Sequence, residues 1–143
     1  MERALRILIV EDEAVLRRTL TRLLERKGLM VLPAGSIREA LSYLEGSEVD
    51  AAILDVTLPD GDGLDLLPLT RATSSLVVSA EVSDERLRDR GVEHFQRKPL
   101  DLPAVEKAID HFLEVREGAG AYGSPESGRA DTKAQQAAPR CSR

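Results

Sequence analysis

The chain has one cysteine in 143 residues, Cys141, third from the end. An internal disulfide is therefore excluded, and one thiol cannot hold a metal cluster; what remains is a reactive thiol or an incidental exposed one. Long apolar runs are also missing, and none approaches the length of a membrane span. The first residues, Met1-Glu2-Arg3-Ala4-Leu5, carry an acid and lead straight into a strand-like segment. That is not the pattern of a signal peptide, so a cytoplasmic location is expected. No Gly-rich lysine motif of the P-loop kind is present, and no repeat marks a solenoid. Basic charge is in short supply. Residues 1–117 hold 16 Lys and Arg against 23 Asp and Glu, whereas residues 118–143 hold four against two. An acidic body does not favour direct nucleic-acid binding. The weak positive charge of the tail reads as solubilising, or as a contact for something anionic.

A chain of this length has room for one domain with a proper core. Its hydrophobic fraction of 42% and charged fraction of 31% are ordinary for a globular protein. Leu5 to Val10 is nearly all apolar and β-branched at Ile7, Ile9 and Val10, as a strand buried on both faces reads. Leu16, Leu20, Leu23 and Leu24 then recur at helical spacing, with Arg17, Arg18, Arg22 and Arg26 between them. Gly28 is suited to stop that helix. A short strand follows over Leu29–Leu32. Ser36-Ile37-Arg38-Glu39 has the form of a capping box and opens a second helix toward Gly46.

Ala51 to Leu54 reads as a third buried strand ending on Asp55, and Leu76 to Val78 as a fourth ending on Ser79. Ser83 can cap a short helix through Leu87 toward Gly91. Val92 to Gln96 reads as a fifth strand ahead of Lys98-Pro99. Asp101 can cap a last helix with an apolar face of Val105, Ala108, Ile109, Phe112 and Leu113. The helix after the Asp60-Gly61-Asp62-Gly63 turn is constrained by Pro68, which costs about 3 kcal/mol in a helix interior. It either starts late, near Asp65, or is very short. From Gly118 the periodicity disappears, and Gly, Ala, Ser and Pro supply 15 of the last 26 residues. The expected division is a domain over 1–117 and a flexible tail over 118–143.

Strands alternating with helices imply a parallel sheet with right-handed crossovers. In such sheets ligands sit beyond the carboxyl ends of the strands. That rule brings Glu11, Asp12, Asp55, Ser79 and Lys98 together. Crowded carboxylates repel one another unless something positive sits among them. A hard divalent cation bound through oxygens is the natural remedy, and Mg²⁺ is the usual one where carboxylates meet a phosphoryl group. The cluster therefore points to phosphate chemistry.

The segments ILIVEDE (7–13), ILDVTLPDGDGL (53–64), VVSA (77–80) and FQRKPL (95–100) resemble the receiver domain of two-component response regulators. With their spacing they cover residues 5–116. The resemblance implies a flavodoxin-like α/β fold with strand order 2-1-3-4-5 and helices on both faces. It implies a phosphoacceptor at Asp55, with Mg²⁺ held by Glu11, Asp12, Asp55 and the backbone carbonyl of Thr57. Ser79 matches the hydroxyl that bonds a phosphoryl oxygen, and Lys98 the lysine that balances its charge. Phe95 matches the aromatic that reorients when the hydroxyl moves. The implied partner is a sensor histidine kinase or phosphotransfer protein. A phosphorylation-dependent homodimer through the last helix is compatible with the pattern. The protein would be a switch whose only catalysis is phosphotransfer to Asp55 and hydrolysis from it.

Some features depart from the family. Glu11 is one methylene longer than the commoner aspartate. The intervals Asp55 to Ser79 and Ser79 to Lys98, 24 and 19 positions, are shorter than usual by about a helical turn or more. The third and fourth helices are therefore expected to be shortened.

Plainer readings exist for each residue. Asp55 alone could be a turn or cap residue, and Glu11-Asp12-Glu13 alone could favour a helix start through its dipole. Ser79 could be a strand-end hydroxyl, and Phe95, one of two phenylalanines, could be core filler. Gly61 and Gly63 read most simply as turn glycines. The arginines of the first helix read either as a solvated face or as a docking surface for the phosphodonor. His94 and His111 have no ligand partners near in sequence and read as ordinary histidines. Rival functions are a pseudo-receiver acting as a constitutive interaction module, the receiver part of a truncated transcription regulator, and an aspartate-nucleophile phosphatase. Such a phosphatase wants a second acid two residues after its nucleophile, where this chain has Thr57.

Overall fold

The computed structural model describes residues 4–122. Five parallel strands form the central sheet: β1 (Arg6–Val10), β2 (Met30–Ala34), β3 (Ala51–Asp55), β4 (Ser75–Ser79) and β5 (Phe95–Arg97). Their spatial order is β2-β1-β3-β4-β5, and all neighbours run parallel, as expected. Pro33 lies in β2, which is an edge strand, where a missing N–H costs a ladder little.

Alternation along the central strands divides the core in two. Leu8, Val10, Ala52, Leu54 and Val77 face one side and pack with Ala40, Leu64, Leu66 and Leu87. Ile7, Ile9, Ile53, Leu76 and Val78 face the other and meet Leu20, Leu24, Val105, Ile109 and Phe112. The second face is covered by α1 (Ala14–Glu25) and α4 (Leu102–Tyr122). The first is covered by α2 (Ile37–Gly46), a 3-10 helix over Gly63–Leu69, and the six-residue α3 (Asp84–Asp89). The third and fourth helices are thus shortened, the third so far that it is no α-helix.

The expected caps form in part. Ser36 accepts the Glu39 N–H at 3.1 Å, but the Glu39 carboxylate reaches Gly35 N–H at 2.6 Å, so the reciprocal bond lands one residue early. Ser83 accepts the Arg86 N–H at 3.1 Å. Gly28, with φ of 87°, follows the end of α1 in the left-handed region that glycine tolerates.

Some boundaries differ from expectation. The segment after the Asp60–Gly63 turn starts at Gly63, with no delay to Asp65, because Asp62 Oδ1 accepts the Leu64 N–H at 2.9 Å and caps it there. Pro68 lies inside this segment, which winds as a 3-10 helix. The turn itself carries a small antiparallel pair, Thr57–Leu58 with Gly61–Asp62. Strand β5 begins only at Phe95, three residues after Val92. Helix α4 continues to Tyr122, past residue 117, through Gly118 and Gly120. The rest of the expected tail, with Cys141 and its basic residues, lies outside the described residues. Among the described residues no helix is long and apolar enough to cross a membrane.

Candidate functional site

Parallel pairing aligns the carboxyl ends of β1, β3, β4 and β5 along one rim. Glu11 follows β1, and Asp55 closes β3. Ser79 closes β4, one residue past the partner of Asp55 in the ladder. Lys98 follows β5, and its backbone N–H bonds the Ser79 carbonyl at 2.9 Å. The Lys98–Pro99 peptide is cis.

One carboxylate oxygen from each of Glu11, Asp12 and Asp55 lies within 4.8 Å of the others. Glu11 is fully buried and Asp55 only 3% exposed, while Asp12 is open to solvent. The Lys98 ammonium bridges the two buried acids, 2.8 Å from Glu11 Oε1 and 2.9 Å from Asp55 Oδ2. The second oxygen of each acid is held by backbone. Glu11 Oε2 accepts the Glu13 N–H at 3.0 Å, and Asp55 Oδ1 accepts the Thr57 N–H at 3.2 Å. The buried Glu11 Oε1 has the Lys98 ammonium as its ion-pair partner.

The electrostatics follow from this placement. Burial pushes the Glu11 carboxyl above its ordinary range; Lys98 and the Glu13 N–H pull it back, and the Asp55 charge adds to the rise. Burial alone would lower the Lys98 ammonium, but its bonds to Glu11 and Asp55 outweigh that, and the net shift is upward. A set of three clustered carboxylates, two of them buried, offers all-oxygen donors that fit a hard divalent cation such as Mg²⁺.

The other expected residues are placed differently. The Ser79 hydroxyl is buried but turned onto its own loop, accepting the Glu81 N–H at 3.1 Å and donating to the Glu81 carbonyl at 3.2 Å. Phe95 is half-buried beside the cluster that holds Leu87, with Val82 and Val92 also packed against it. His94 stacks edge-on against Phe112, 4.8 Å between centroids, and stands apart from the acids.

Several supporting residues escaped the sequence reading. Arg17, grouped there with the other helix arginines, donates to the Glu11 carbonyl at 2.7 Å and anchors the acidic loop; Arg18, Arg22 and Arg26 are exposed. Gly63 is more than a turn glycine. A Cβ there would lie 1.8 Å from the Asp55 carbonyl oxygen, so only glycine allows the chain to pass beneath the acid. Asp60 accepts the Ile37 and Arg38 N–H groups at 2.9 and 3.0 Å, tying the loop after Asp55 to the start of α2. Those two bonds hold its carboxyl below the usual range. Arg97 reaches the loop after β4. A capping aspartate in a glycine-rich turn could have been guessed from Asp60; Arg17's bond back across the β1–α1 turn and Arg97's bonds to a loop 15 and 17 residues away leave no signal in residue type.

The chain is similar to known proteins. The family model described as the response regulator receiver domain matches residues 7–110. The chain is 33% identical over 121 residues to the transcriptional regulatory protein PdtaR of Mycobacterium tuberculosis, covering 77% of this chain and 59% of that one. It is 36% identical over 109 residues to the KDP operon transcriptional regulatory protein KdpE of Escherichia coli, covering 72% of this chain and 48% of that one. It therefore spans about half to three-fifths of the length of these relatives. Among solved structures, the non-phosphorylated HemR receiver domain of Leptospira biflexa is 32% identical, with a TM-score of 0.66 over 76% of this chain and 94% of that one. A CheY-like receiver domain protein of Methanospirillum hungatei JF-1 is 26% identical, with a TM-score of 0.73 over 82% of this chain and all of that one. With a matching family model across most of its length and solved receiver domains of the same fold, the chain belongs to the response regulator receiver domain family of two-component signalling.

Proposed function

We propose that the protein accepts a phosphoryl group on Asp55 from the phosphohistidine of a sensor histidine kinase or phosphotransfer protein, and that this changes the surface it offers to partners. The observation that carries the reading is the meeting of Glu11, Asp12 and Asp55 around one point, with the Lys98 ammonium 2.9 Å from Asp55. Glu11, Asp12, Asp55 and the Thr57 carbonyl would hold Mg²⁺, which when bound draws negative charge off the phosphoryl oxygens. An Asp55 oxygen attacks phosphorus, the P–N bond to the donor imidazole breaks, and an acyl phosphate forms on the carboxylate. Hydrolysis by water returns Asp55 and inorganic phosphate. Lys98 leaves the carboxylate for a phosphoryl oxygen, and Ser79 supplies a hydroxyl to another. The added charge and acceptor oxygens are what the loops after β4 and β5 respond to. The cytoplasmic location expected from the N-terminal sequence belongs to the same proposal.

A pseudo-receiver has no need for a lysine bridging two buried acids, so the constitutive-module reading is disfavoured. A second reading, the receiver part of a longer transcription regulator, is favoured by the limited span of this chain against PdtaR and KdpE. It is compatible with the first.

The test uses intact-mass measurement after incubation with Mg²⁺ and acetyl phosphate. Wild type should gain one phosphoryl group that hydroxylamine removes, as an acyl phosphate requires, and chelating the metal should suppress it. If wild type gains none, or Asp55→Asn gains as much, the reading fails.

A further inference from the structure

Arg97 has a position that the proposed chemistry does not use. Its partner across the β4–β5 ladder is Ser79. From there its guanidinium reaches over the loop that follows Ser79, donating from one nitrogen to the Ala80 carbonyl at 3.2 Å and from another to the Val82 carbonyl at 3.4 Å. It also sits over the Phe95 ring, 5.2 Å from the centroid. The residue between those carbonyls, Glu81, has its N–H and carbonyl on the Ser79 hydroxyl. Consecutive loop residues are thus gripped from two sides, by Ser79 from within and by Arg97 from outside.

We propose that Arg97 is a positioning residue, a latch that holds the loop after β4 in the form that keeps the Ser79 hydroxyl bonded to Glu81 and away from Asp55. This rests on Asp55 being the phosphoacceptor. For the hydroxyl to reach a phosphoryl oxygen, its bonds to Glu81 must break; that releases the loop from within, and the two bonds from Arg97 then oppose its shift. Phe95 lies under the same guanidinium, so movement of the loop and of the ring are opposed by one side chain. Arg97 is exposed and is not one of the buried residues of the core, so its replacement is expected to leave the fold intact. Lysine at this position keeps a cation over the ring but loses the planar fork that engages two carbonyls at once.

Two measurements on wild type, Arg97→Lys and Arg97→Ala test this. The first is hydrogen exchange at the Glu81 amide without any phosphodonor. The second is titration with beryllofluoride and Mg²⁺, the beryllofluoride serving as a mimic of the aspartyl phosphate. Arg97→Ala should exchange faster and half-saturate at lower beryllofluoride, each by roughly fivefold, the scale of one hydrogen bond lost. Arg97→Lys should fall between. Unchanged exchange in Arg97→Ala overturns the latch. Faster exchange with unchanged or weaker beryllofluoride affinity makes the contact merely structural and also overturns it. If wild type takes up no beryllofluoride, it is the reading of Asp55 that fails, and the exchange comparison still decides whether Arg97 holds the loop.

Discussion

The sheet's two faces are covered by different kinds of structure. On one, α1 and α4 are long α-helices whose stripes, Leu20 and Leu24 with Val105, Ile109 and Phe112, close over Ile7, Ile9, Ile53 and Val78. On the other, the coverings that follow Asp55 and Ser79 are a seven-residue 3-10 helix and a six-residue α-helix. Polar straps tie these short pieces to one another. Asp62 pairs with Arg86 and, at 3.9 Å, with Arg90, which also bonds Asp65 and the Leu64 carbonyl. Asp60 holds the start of α2, and Arg97 the loop after β4. Apolar burial is worth kilocalories per side chain, whereas exposed ion pairs are worth a fraction of one. One face is therefore a frame. The other is closed over an apolar cluster of its own by shorter pieces, and those short, strapped segments are the ones suited to move.

Breaking the frame should cost most. Phe112→Ala removes a buried ring from the α4 face and should destabilise by about 3–5 kcal/mol, read from denaturant unfolding. Gly63→Ala attacks the junction of the two regions, forcing a Cβ against the Asp55 carbonyl. A loss of about 1–3 kcal/mol is expected from overpacking, together with slower phosphorylation from acetyl phosphate. If Gly63→Ala behaves as wild type in both assays, the close approach beneath Asp55 is wrong.

A pH titration sharpens the comparison from the frame's side. Burial against Phe112 lowers the His94 imidazole below its ordinary value of 6.5. The unfolded chain then binds the proton more tightly, so this contribution is present above pH 6.5 and is lost as pH falls through the lowered folded value. His94→Leu should flatten the slope of stability below pH 6.5; an unchanged slope would assign the acid sensitivity elsewhere. The smallest effect belongs to the strapped face. Arg90→Ala should cost no more than about 1 kcal/mol, and the difference should shrink in high salt. A cost as large as that of Phe112→Ala would erase the distinction between the faces.

The strands were legible because a parallel sheet buried on both sides demands continuous apolar runs, and Leu5–Val10 and Ala51–Leu54 are such runs. Glu11, Asp12, Asp55 and Lys98 were legible as a cluster because each ends or follows one of those strands. The form of the third helix was legible only as a conflict, Pro68 inside too short a segment; the 3-10 winding that resolves it depends on Asp62 as cap and on the sheet beneath. Gly63 was read as a turn residue because local sequence shows a glycine's freedom and hides what passes over it. Arg17 looked like its exposed neighbours, since only the fold brings the Glu11 carbonyl within its reach. The α4 boundary was missed because glycine and alanine carry no hydrophobic stripe, yet they do not forbid a helix.

By itself, then, the order of apolar runs and turns determined an alternating α/β chain, and the acids and lysine at the strand ends determined the chemistry of its rim. Periodicity and residue type act within a few residues, so a linear reading suffices for them. Tertiary structure alone decided the 2.9 Å approach of Lys98 to Asp55, the rotation of the Ser79 hydroxyl onto Glu81, and the reach of Arg97 across the next loop. Those are contacts between separate segments or choices among side-chain rotamers, and they depend on sheet register and packing that no stretch of sequence specifies alone.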